Sequence, residues 1–357
     1  MRAGAVVQFA PQVRHYDAVG NEVFALHHLL TSSGIESYIS GQLADAPAAT
    51  EVRPWSRAAR LTCDAVLIHY SHSSPHYQRV FACDLPKVMV YHSITPAEFF
   101  RGTSMDLEQA SQQGLEELAR YSGQVVFALA HSTFSAQELE HAGFRNVVVF
   151  PYVLDERLYA VDPDKALVGR YGGDGWVNLL TVGRVAPNKC LEDCILIFDY
   201  FRRVVESKSR LFVVGRWQGT EAYLARLRKL VALLGVEGVY FTGPVTQSTL
   251  MGYLKVAHAF LCMSEHEGFG VPLVEAMRHG VPVFAYASSA VPETLRGTGV
   301  LFQEKRWPVI AEAVGLLLAD EEHRRNVIAE QGRQAEFYSE EAAAGRLRAC
   351  LGKLNLR

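Results

Sequence analysis

The 357-residue chain has few cysteines, little net charge and no long apolar run, and each scarcity excludes a class of protein. Six cysteines in a chain of this length do not make a disulfide framework. A formal net charge of −3 argues against a broad basic face for nucleic acid. No apolar run reaches the roughly 18 to 20 residues that span a bilayer. We therefore expect a cytoplasmic globular protein, with attachment to a membrane surface left open.

Two cofactor patterns are also missing. No Gly-x-Gly-x-x-Gly follows a strand with an acidic residue about 20 positions later, which argues against a dinucleotide-dependent oxidoreductase. Cys190 and Cys194 have the spacing of one helix face, but no second pair stands at zinc-binding distance in the sequence, so buried thiols are favoured.

What the chain does contain is two series of short apolar runs that alternate with helical stretches. The runs 5–9, 65–70, 87–91, 124–130 and 146–150 lack polar alternation, so they predict strands buried on both faces of a parallel sheet. Residues 161–176 are rich in Asp, Pro and Gly, which indicates a linker. A second series of alternating apolar runs and helical stretches starts at residue 177. We expect an α/β protein with two Rossmann-like domains, 1–160 and 177–335, and a final helical segment at 336–357.

The stretch 264–283 is the most informative part of the sequence. It reads Ser-Glu-His-Glu-Gly-Phe-Gly-Val-Pro-Leu-Val-Glu-Ala-Met-Arg-His-Gly-Val-Pro-Val and follows an apolar run, so it predicts strand, glycine turn and helix. Small turn residues and a helix start bring backbone NH groups toward an anion such as phosphate. Glu267 and Glu275 then supply acceptors for hydroxyl groups. A sugar phosphate or a nucleotide sugar fits this combination.

This stretch resembles retaining glycosyltransferase family 4, whose members have the GT-B fold. The resemblance rests on Glu267, seven residues, Glu275, with the Gly-Phe-Gly turn and the following Glu-Ala-Met and Gly-x-Pro-Val. It implies two Rossmann-like domains facing across a cleft, with a C-terminal helix that crosses back to the N-terminal domain. It also implies that Glu267 contacts donor-sugar hydroxyls, that the turn holds sugar and phosphate, and that Glu275 binds the ribose.

A second cluster follows the strand that begins at 177. Gly183, Arg184 and Lys189 place two cations near one point, the arginine as a planar fork and the lysine as a point charge. The family has its diphosphate-binding arginine and lysine at this spacing. Cys190 stands where many members have glycine, which we interpret as a tolerated change. The alternative is two surface cations beside a loop.

In the N-terminal half, the resemblance points to Gly20 and His92. Gly20 lies where the family has a glycine loop that approaches the donor phosphates, although that loop often has a pair of glycines. The run 91–96, Tyr-His-Ser-Ile-Thr-Pro, resembles a form found in bacterial polysaccharide-assembly members. His92 would then orient the donor and stabilise oxocarbenium charge through its backbone carbonyl. A histidine that only caps the strand is the alternative.

Other positions carry weaker predictions. The loop around Val245 resembles the family's nucleobase-side loop, with an ordinary turn as the alternative. Arg216 stands where a second glycine is frequent and would add a phosphate or base contact. His69, His72 and His76 have no carboxylate or cysteine nearby in sequence, so we interpret them as a plain loop or as acceptor-site lining rather than a metal site.

These features together predict an enzyme that moves a sugar from a nucleotide-diphosphate sugar to a hydroxyl of a glycan, lipid-linked or small-molecule acceptor. The resemblance implies a glycosyltransferase of the hexosyltransferase type that retains configuration, in bacterial polysaccharide or glycoconjugate synthesis. No metal and no cofactor is expected. A nucleotide-sugar-binding protein or an epimerase of the same fold, without transfer, is the alternative. The predicted catalytic and donor-binding residues are Gly20, His92, Gly183, Arg184, Lys189, Val245, Glu267, Gly268, Phe269, Gly270, Leu273, Val274 and Glu275.

Overall fold

The computed structural model describes residues 4–15, 17–44 and 51–354, and these form two compact units. Unit 1 takes the described residues of 1–94, 109–156 and 338–357, and unit 2 takes 95–108 and 157–337. Within the described ranges, no helix has the combined length and hydropathy that crossing a bilayer requires.

Unit 1 is built on a parallel sheet. The described strands before residue 150 are β1 Ala5–Phe9, β2 Gln12–Val13, β3 Glu36–Ser40, β4 Leu43–Ala44, β5 Val52–Arg53, β6 Ala65–Tyr70, β7 Lys87–Tyr91, β8 Phe127–Ala130 and β9 Val147–Val149. The sheet has the order β5-β3-β1-β6-β7-β8-β9, and β2 pairs separately with β4. Because β1, β6, β7 and β8 are neighbours, residues at their carboxyl ends lie along one edge.

Helices cover both faces of this sheet, as the unbroken apolar character of its strands requires. The helices up to residue 141 are α1 Ala18–Ser32, α2 Trp55–Ala58, α3 Tyr77–Phe81, α4 Met105–Tyr121 and α5 Thr133–His141. One face packs Val7, Phe9 and Ile68 with Tyr121, and the other packs Val6 and Leu67 with α1.

Unit 2 repeats the design with a parallel sheet of order β12-β11-β10-β13-β14-β15. Its strands are β10 Val177–Val182, β11 Ser209–Val214, β12 Val239–Gly243, β13 Ala259–Cys262, β14 Val283–Tyr286 and β15 Val300–Phe302. β10 and β13 are adjacent, although they are separated by two other strands in the sequence. This crossover brings the loops after β10 and after β13 to the same place.

The helices that follow residue 155 are α6 Glu156–Tyr159, α7 Lys165–Tyr171, α8 Leu191–Tyr200, α9 Glu221–Leu234, α10 Gln247–Val256, α11 Val271–Arg278, α12 Val291–Leu295, α13 Trp307–Ala319 and α14 Glu321–Ala335. The core of unit 2 packs Leu179, Val213 and Leu261 of the sheet against Phe198 of α8 and Val314 of α13.

The last described helix, α15 Glu340–Leu351, belongs to unit 1. Ser339 caps its start by accepting from the amide of Ala342 at 3.3 Å. Leu347 and Leu351 enter the same core cluster as Val6 and Leu26. The predicted return of the C-terminal helix to the first domain is therefore confirmed.

The sequence predicts most of these elements closely. The predicted strands at 5–9, 65–70 and 87–91 agree with β1, β6 and β7 to the residue. β3 is missing from the prediction because its sequence, Glu-Ser-Tyr-Ile-Ser, has few apolar residues, although Gly34 before it has the left-handed φ of 82° expected where a helix stops. The stretch 161–176, predicted as a linker, contains α7, which Asp164 caps through the amides of Ala166 and Leu167.

Candidate active site

The turn between β13 and α11 is shaped by glycine. Gly270 has φ 92°, and a Cβ added there would meet Leu273 Cδ1 at 2.8 Å. Only glycine tolerates that backbone without strain. The chain thus runs from strand to turn to helix as the sequence predicts, and α11 begins at Val271 with Pro272 in its first turn.

Glu267 is held firmly in this turn. Its Oε1 pairs with Lys189 Nζ at 2.5 Å and accepts from Ser264 Oγ at 2.8 Å, while its backbone amide donates to Ser289 Oγ at 2.8 Å. The carboxylate is only 11% exposed. Glu267 is therefore a preorganised hydrogen-bond acceptor, and Lys189 offsets its charge.

Glu275 lies on α11 in a different environment. It is buried, and Oε1 accepts a hydrogen bond from the Tyr159 hydroxyl at 3.0 Å. Burial raises the pKa of the Glu275 carboxyl to about 7, and the bond from Tyr159 opposes this only in part. A carboxyl with this pKa changes its charge near neutral pH.

Two cations follow β10. Arg184 donates from Nη2 to the carbonyl of Gln218 at 3.0 Å, and its pKa is lowered by burial and by the nearby charge of Arg216. Repulsion between two guanidinium groups is relieved when an anion binds between or beside them. Gly215 allows the close approach here, since a Cβ at that position would lie 1.8 Å from the carbonyl oxygen of Gly183.

The loops after β10 and β13 line one cavity of unit 2. Among the predicted site residues, those on its wall are Gly183, Arg184, Lys189, Glu267, Gly270 and Leu273. Val245, Gly268, Phe269, Val274 and Glu275 are not on that wall. The cavity therefore combines two cations, one fixed carboxylate and two glycine turns, which is an arrangement for a phosphate-bearing ligand with hydroxyl groups.

Val245 lies in the loop after β12, two strands away from β10 in the sheet. The preceding Gly243 has φ 77°, and a Cβ there would meet the Trp217 ring at 3.0 Å. Thr246 caps α10 through the amide of Thr249 at 3.2 Å. The loop is thus a defined turn at the same sheet edge, and its contact with a base stays a prediction.

Cys190 shows why glycine is common at its position. It has φ 46° and stands immediately before α8, so a residue with a side chain is strained there. Its buried sulfur joins the core of unit 2, which partly offsets this strain. At position 190 a cysteine thus costs backbone strain relative to glycine and gains apolar packing, which is how the change is tolerated.

In unit 1, Gly20 lies in the first turn of α1. Its amide donates to Asp17 Oδ1 at 2.7 Å, and a Cβ there would meet the carbonyl oxygen of Arg14 at 1.8 Å. The position requires glycine for packing alone, whatever its role toward phosphate.

His92 directly follows β7 and belongs to a buried polar cluster. The cluster lies where β1, β6, β7 and β8 run side by side, and it consists of Gln8, Glu22, His69, His92 and His131. His92 Nε2 is 3.0 Å from His69 Nδ1, and His69 Nε2 is 3.0 Å from Gln8 Oε1. His131 Nε2 lies 3.1 Å from Glu22 Oε2, and Val153 donates to Glu22 Oε1 at 3.2 Å.

The pKa values of the three histidines in this cluster are shifted in different directions. Burial lowers the pKa of His69 to about 3 and holds the pKa of His92 well below its usual range. Burial acts on His131 as well, but the neighbouring Glu22 carboxylate outweighs it and raises that pKa. Burial thus favours the neutral rings of His69 and His92, whereas the neighbouring Glu22 favours the protonated ring of His131.

The predicted plain loop with three histidines is wrong for His69, which lies inside β6. His72 lies in the following loop next to Ser71 Oγ at 2.8 Å, and His76 precedes α3. Among the described residues, the group whose atoms lie close enough for a metal is instead Glu22, His69 and His92, within 4.8 Å of one another.

Sequence reasoning missed Gln8, Glu22 and His131 in unit 1 and Ser264 and Ser289 in unit 2. Gln8 could have been noticed in the sequence, because a polar residue within the apolar run of β1 is unusual for a strand buried on both faces. His131 directly follows the apolar run of β8, as His92 follows β7. Ser289 has no comparable signal in the sequence.

Comparisons with known proteins show which part of the chain has relatives. The family model described as glycosyl transferases group 1 matches residues 177–335, which include both cation and glutamate loops. The N-acetyl-alpha-D-glucosaminyl L-malate synthase of Bacillus anthracis is 28% identical over 288 residues, covering 78% of this chain and 71% of that protein. A GDP-mannose-dependent alpha-(1-6)-phosphatidylinositol monomannoside mannosyltransferase of Mycolicibacterium smegmatis is 32% identical over 183 residues, 48% of this chain and 46% of that protein. The match thus spans less than half of that mannosyltransferase.

The fold is similar to that of Anabaena HepE in complex with UDP and glucose. That structure covers 98% of this chain and 99% of its own with a TM-score of 0.77, at 16% identity. At this identity the likeness concerns the fold alone. The expected resemblance and the expected fold are confirmed: residues 177–335 match the model of the glycosyl transferases of group 1, and the two Rossmann-like units have the GT-B fold.

Proposed function

We propose that this protein transfers a sugar from a nucleoside-diphosphate sugar to an acceptor hydroxyl with retention of configuration. The observation that carries the proposal is the cavity of unit 2, where Arg184 and Lys189 stand beside the fixed carboxylate of Glu267. Cations of this kind neutralise the charge that gathers on a leaving diphosphate, so they lower the barrier to breaking the glycosidic bond.

Each group has a role in this proposal. Arg184 grips diphosphate oxygens, and Lys189 is shared between the diphosphate and Glu267. Glu267 accepts hydrogen bonds from sugar hydroxyls, and Glu275 accepts from the ribose. His92 orients the sugar, and its backbone carbonyl faces the developing oxocarbenium charge. This chemistry needs no metal, because the two cations supply the positive charge.

Retention is proposed from the family resemblance. No carboxylate in the described cavity stands as an evident nucleophile besides Glu267, which is held by Lys189 and Ser264. We therefore favour a same-face reaction, in which the leaving phosphate accepts the proton of the acceptor hydroxyl as the new bond forms. The anomeric configuration of the product, determined from its one-bond carbon–proton coupling in NMR, tests retention.

The first donors to test come from the names of the relatives and of the similar structure. These names contain GDP-mannose, N-acetylglucosaminyl and UDP-glucose. Thermal-shift measurements with UDP-, GDP-, TDP- and ADP-sugars would identify the donor by the largest stabilisation. Lipid-linked, glycan and small-molecule hydroxyl acceptors would then be compared by the release of free nucleoside diphosphate. Stabilisation by a donor without release in any acceptor mixture would favour the binding protein over the transferase.

The Glu267→Ala variant tests the assigned chemistry. We expect transfer to fall by roughly a hundredfold or more while nucleotide binding stays measurable, because the carboxylate faces the sugar and not the nucleotide. Glu265→Gln is the matched control, since Glu265 is two residues away, 48% exposed and paired with Lys305. Near wild-type transfer by the Glu267→Ala variant would refute the role of Glu267.

A further inference from the structure

Gln8 fixes the direction of the hydrogen bonds in the unit 1 cluster. Its Nε2 donates to the carbonyl of Val23 at 3.2 Å and to Ser37 Oγ at 3.3 Å. A carbonyl only accepts, so the amide nitrogen of Gln8 must face Val23 and its Oε1 must face His69. Because Oε1 also only accepts, the hydrogen of His69 is on Nε2, 3.0 Å from that oxygen.

The tautomer of His69 also fixes the position of the hydrogen on His92. With its hydrogen on Nε2, neutral His69 presents a lone pair at Nδ1, 3.0 Å from His92 Nε2. His92 must therefore donate from Nε2, which leaves its lone pair on Nδ1. The nearest carboxylate oxygen to this Nδ1 is Glu22 Oε2 at 3.6 Å, too far for a hydrogen bond.

Glu22 Oε1 accepts from Val153, and Glu22 Oε2 lies 3.1 Å from His131 Nε2, closer than it lies to His92. The groups that face His92 are thus His69 from β6, Glu22 from α1, His131 after β8 and His72 in the loop after β6. Glu22 favours a proton on His131, whereas burial disfavours a proton on His92.

We propose that His69, held by Gln8, is a positioning residue that accepts from His92 Nε2–H and so fixes the tautomer and the orientation of the His92 ring during sugar transfer. This inference rests on the proposed function, in which His92 acts on the oxocarbenium charge of the donor. A ring that is held in one orientation keeps the backbone of residue 92, and with it the carbonyl that acts on this charge, in place.

The backbone supports the same reading. The residue after His92, Ser93, has φ 52°, a strained conformation for a residue with a side chain. Ser93 Oγ donates to Glu138 Oε2 at 2.5 Å, and the His92 amide donates to the carbonyl of Tyr70 at 2.9 Å. Strain that the surroundings hold in place is a feature of residues that act on ligands.

The first test reads the hydrogens without any substrate. Long-range proton–nitrogen NMR spectra of the full chain with 15N-labelled histidine distinguish the two tautomers and the imidazolium. At pH 7 we expect Nε2–H forms for His69 and His92, each identified by the signal lost in its own asparagine variant. An Nδ1–H form or an imidazolium at His92 would overturn the inference.

The second test compares two variants of His69, of which one keeps the contact with His92 and the other keeps the contact with Gln8. His69→Asn puts an amide oxygen close to the former Nδ1 and can still accept from His92, whereas His69→Gln reaches toward Gln8 and leaves His92 without an acceptor. We expect kcat to fall roughly tenfold in His69→Gln and to stay within about threefold in His69→Asn. The exposed His141, replaced by Gln, is the control.

The pH profile separates positioning from packing. In His69→Gln the His92 ring loses its acceptor and is free to turn an N–H towards Glu22, so we expect a loss of activity on the acid side of the pH profile. The wild type and His69→Asn should lack this acid limb. Equal losses in both His69 variants with unchanged pH profiles would overturn the inference. So would one equivalent of zinc that is retained by the purified protein and lost in His92→Asn.

The two proposals fail in different ways. Wild-type transfer by His92→Ala, with the NMR tautomers as expected, would refute the role of His92 in the proposed function. It would also overturn the catalytic part of this inference. A wrong tautomer refutes the part played by His69 and leaves the donor chemistry of unit 2 untouched.

Discussion

At the carboxyl edge of the unit 1 sheet the ionisable pair Glu22 and His131 is buried, whereas the pair Glu267 and Lys189 in unit 2 is partly exposed. The side chains of Glu22 and His131 are 0% and 4% exposed, against 11% and 19% for Glu267 and Lys189. Both pairs lie near the carboxyl ends of parallel strands. The difference lies in their surroundings, which are closely packed in unit 1 and include a cavity in unit 2.

This contrast has an energetic meaning. A buried charge that loses its partner keeps the full cost of its desolvation, while a charge beside a cavity is relieved by water. We therefore expect changes in the unit 1 cluster to affect stability first and changes in the unit 2 cavity to affect catalysis first.

The largest effect is expected for Glu22→Ala. Loss of the carboxylate removes the acidic partner of the buried His131, which keeps its contact with the Phe150 carbonyl, and leaves the Val153 amide without an acceptor, so the free energy of unfolding should fall by roughly 3 kcal/mol. Denaturant unfolding measures this. Glu22→Gln, which keeps the acceptor for Val153, should lose less. A loss below about 1 kcal/mol for Glu22→Ala would break the contrast between the two units.

Lys189→Ala should show the reverse pattern. We expect kcat to fall roughly a hundredfold, because the cation acts on the leaving diphosphate, while the free energy of unfolding changes by about 1 kcal/mol or less. Transfer assays and denaturant unfolding of the same preparation check both halves. Lys229→Ala, on the exposed side of α9, is the control. A large loss of stability without a loss of kcat would show that the Lys189–Glu267 pair is structural.

A smaller effect is expected from the pH dependence of Glu275. Burial raises its pKa to about 7 from 4.5, so the folded protein holds a proton that the unfolded chain has already lost between these values. Its contribution to the free energy of unfolding therefore falls as the pH rises through 7. The affinity for the donor should change in the opposite direction and rise with pH, because the ribose hydroxyls donate to the ionised carboxylate.

Affinity for the donor sugar should accordingly rise by up to about tenfold between pH 6 and pH 8. Calorimetric titration with the donor found by thermal shift measures the change, and the donor's own diphosphate does not titrate in this range. In Glu275→Gln the pH dependence should vanish. A flat profile in the wild type would show that Glu275 does not bind the nucleotide.

The sequence predicts unit 2 better than unit 1 for a physical reason. Glu267, Gly270 and Glu275 lie within nine residues, and Arg184 and Lys189 within six, so the local pattern displays the chemistry. In unit 1, Gln8, Glu22, His69, His92 and His131 come from four strands or strand ends and one helix. Each is unremarkable alone, and only the strand order β1-β6-β7-β8 brings them together.

Element prediction failed for a related reason. β3 has one fully apolar residue, Ile39, among its five, and its place in the sheet is fixed by pairing with β1 rather than by its own sequence. The helix α7 was hidden because Asp, Pro and Gly surround it, although Asp164 is a good cap. Periodicity detects elements whose own residues determine them, and tertiary pairing determines the rest.

The place of α15 has a consequence for biosynthesis. Leu347 and Leu351 belong to a core cluster that begins with Val6, so this core stays incomplete on the ribosome until residues 340–351 have emerged. Unit 2, drawn mainly from the continuous segment 157–337, has its whole core available earlier. During translation the nascent N-terminal segment must therefore wait, exposed to chaperones and proteases, for a helix made more than 300 residues after its first strand.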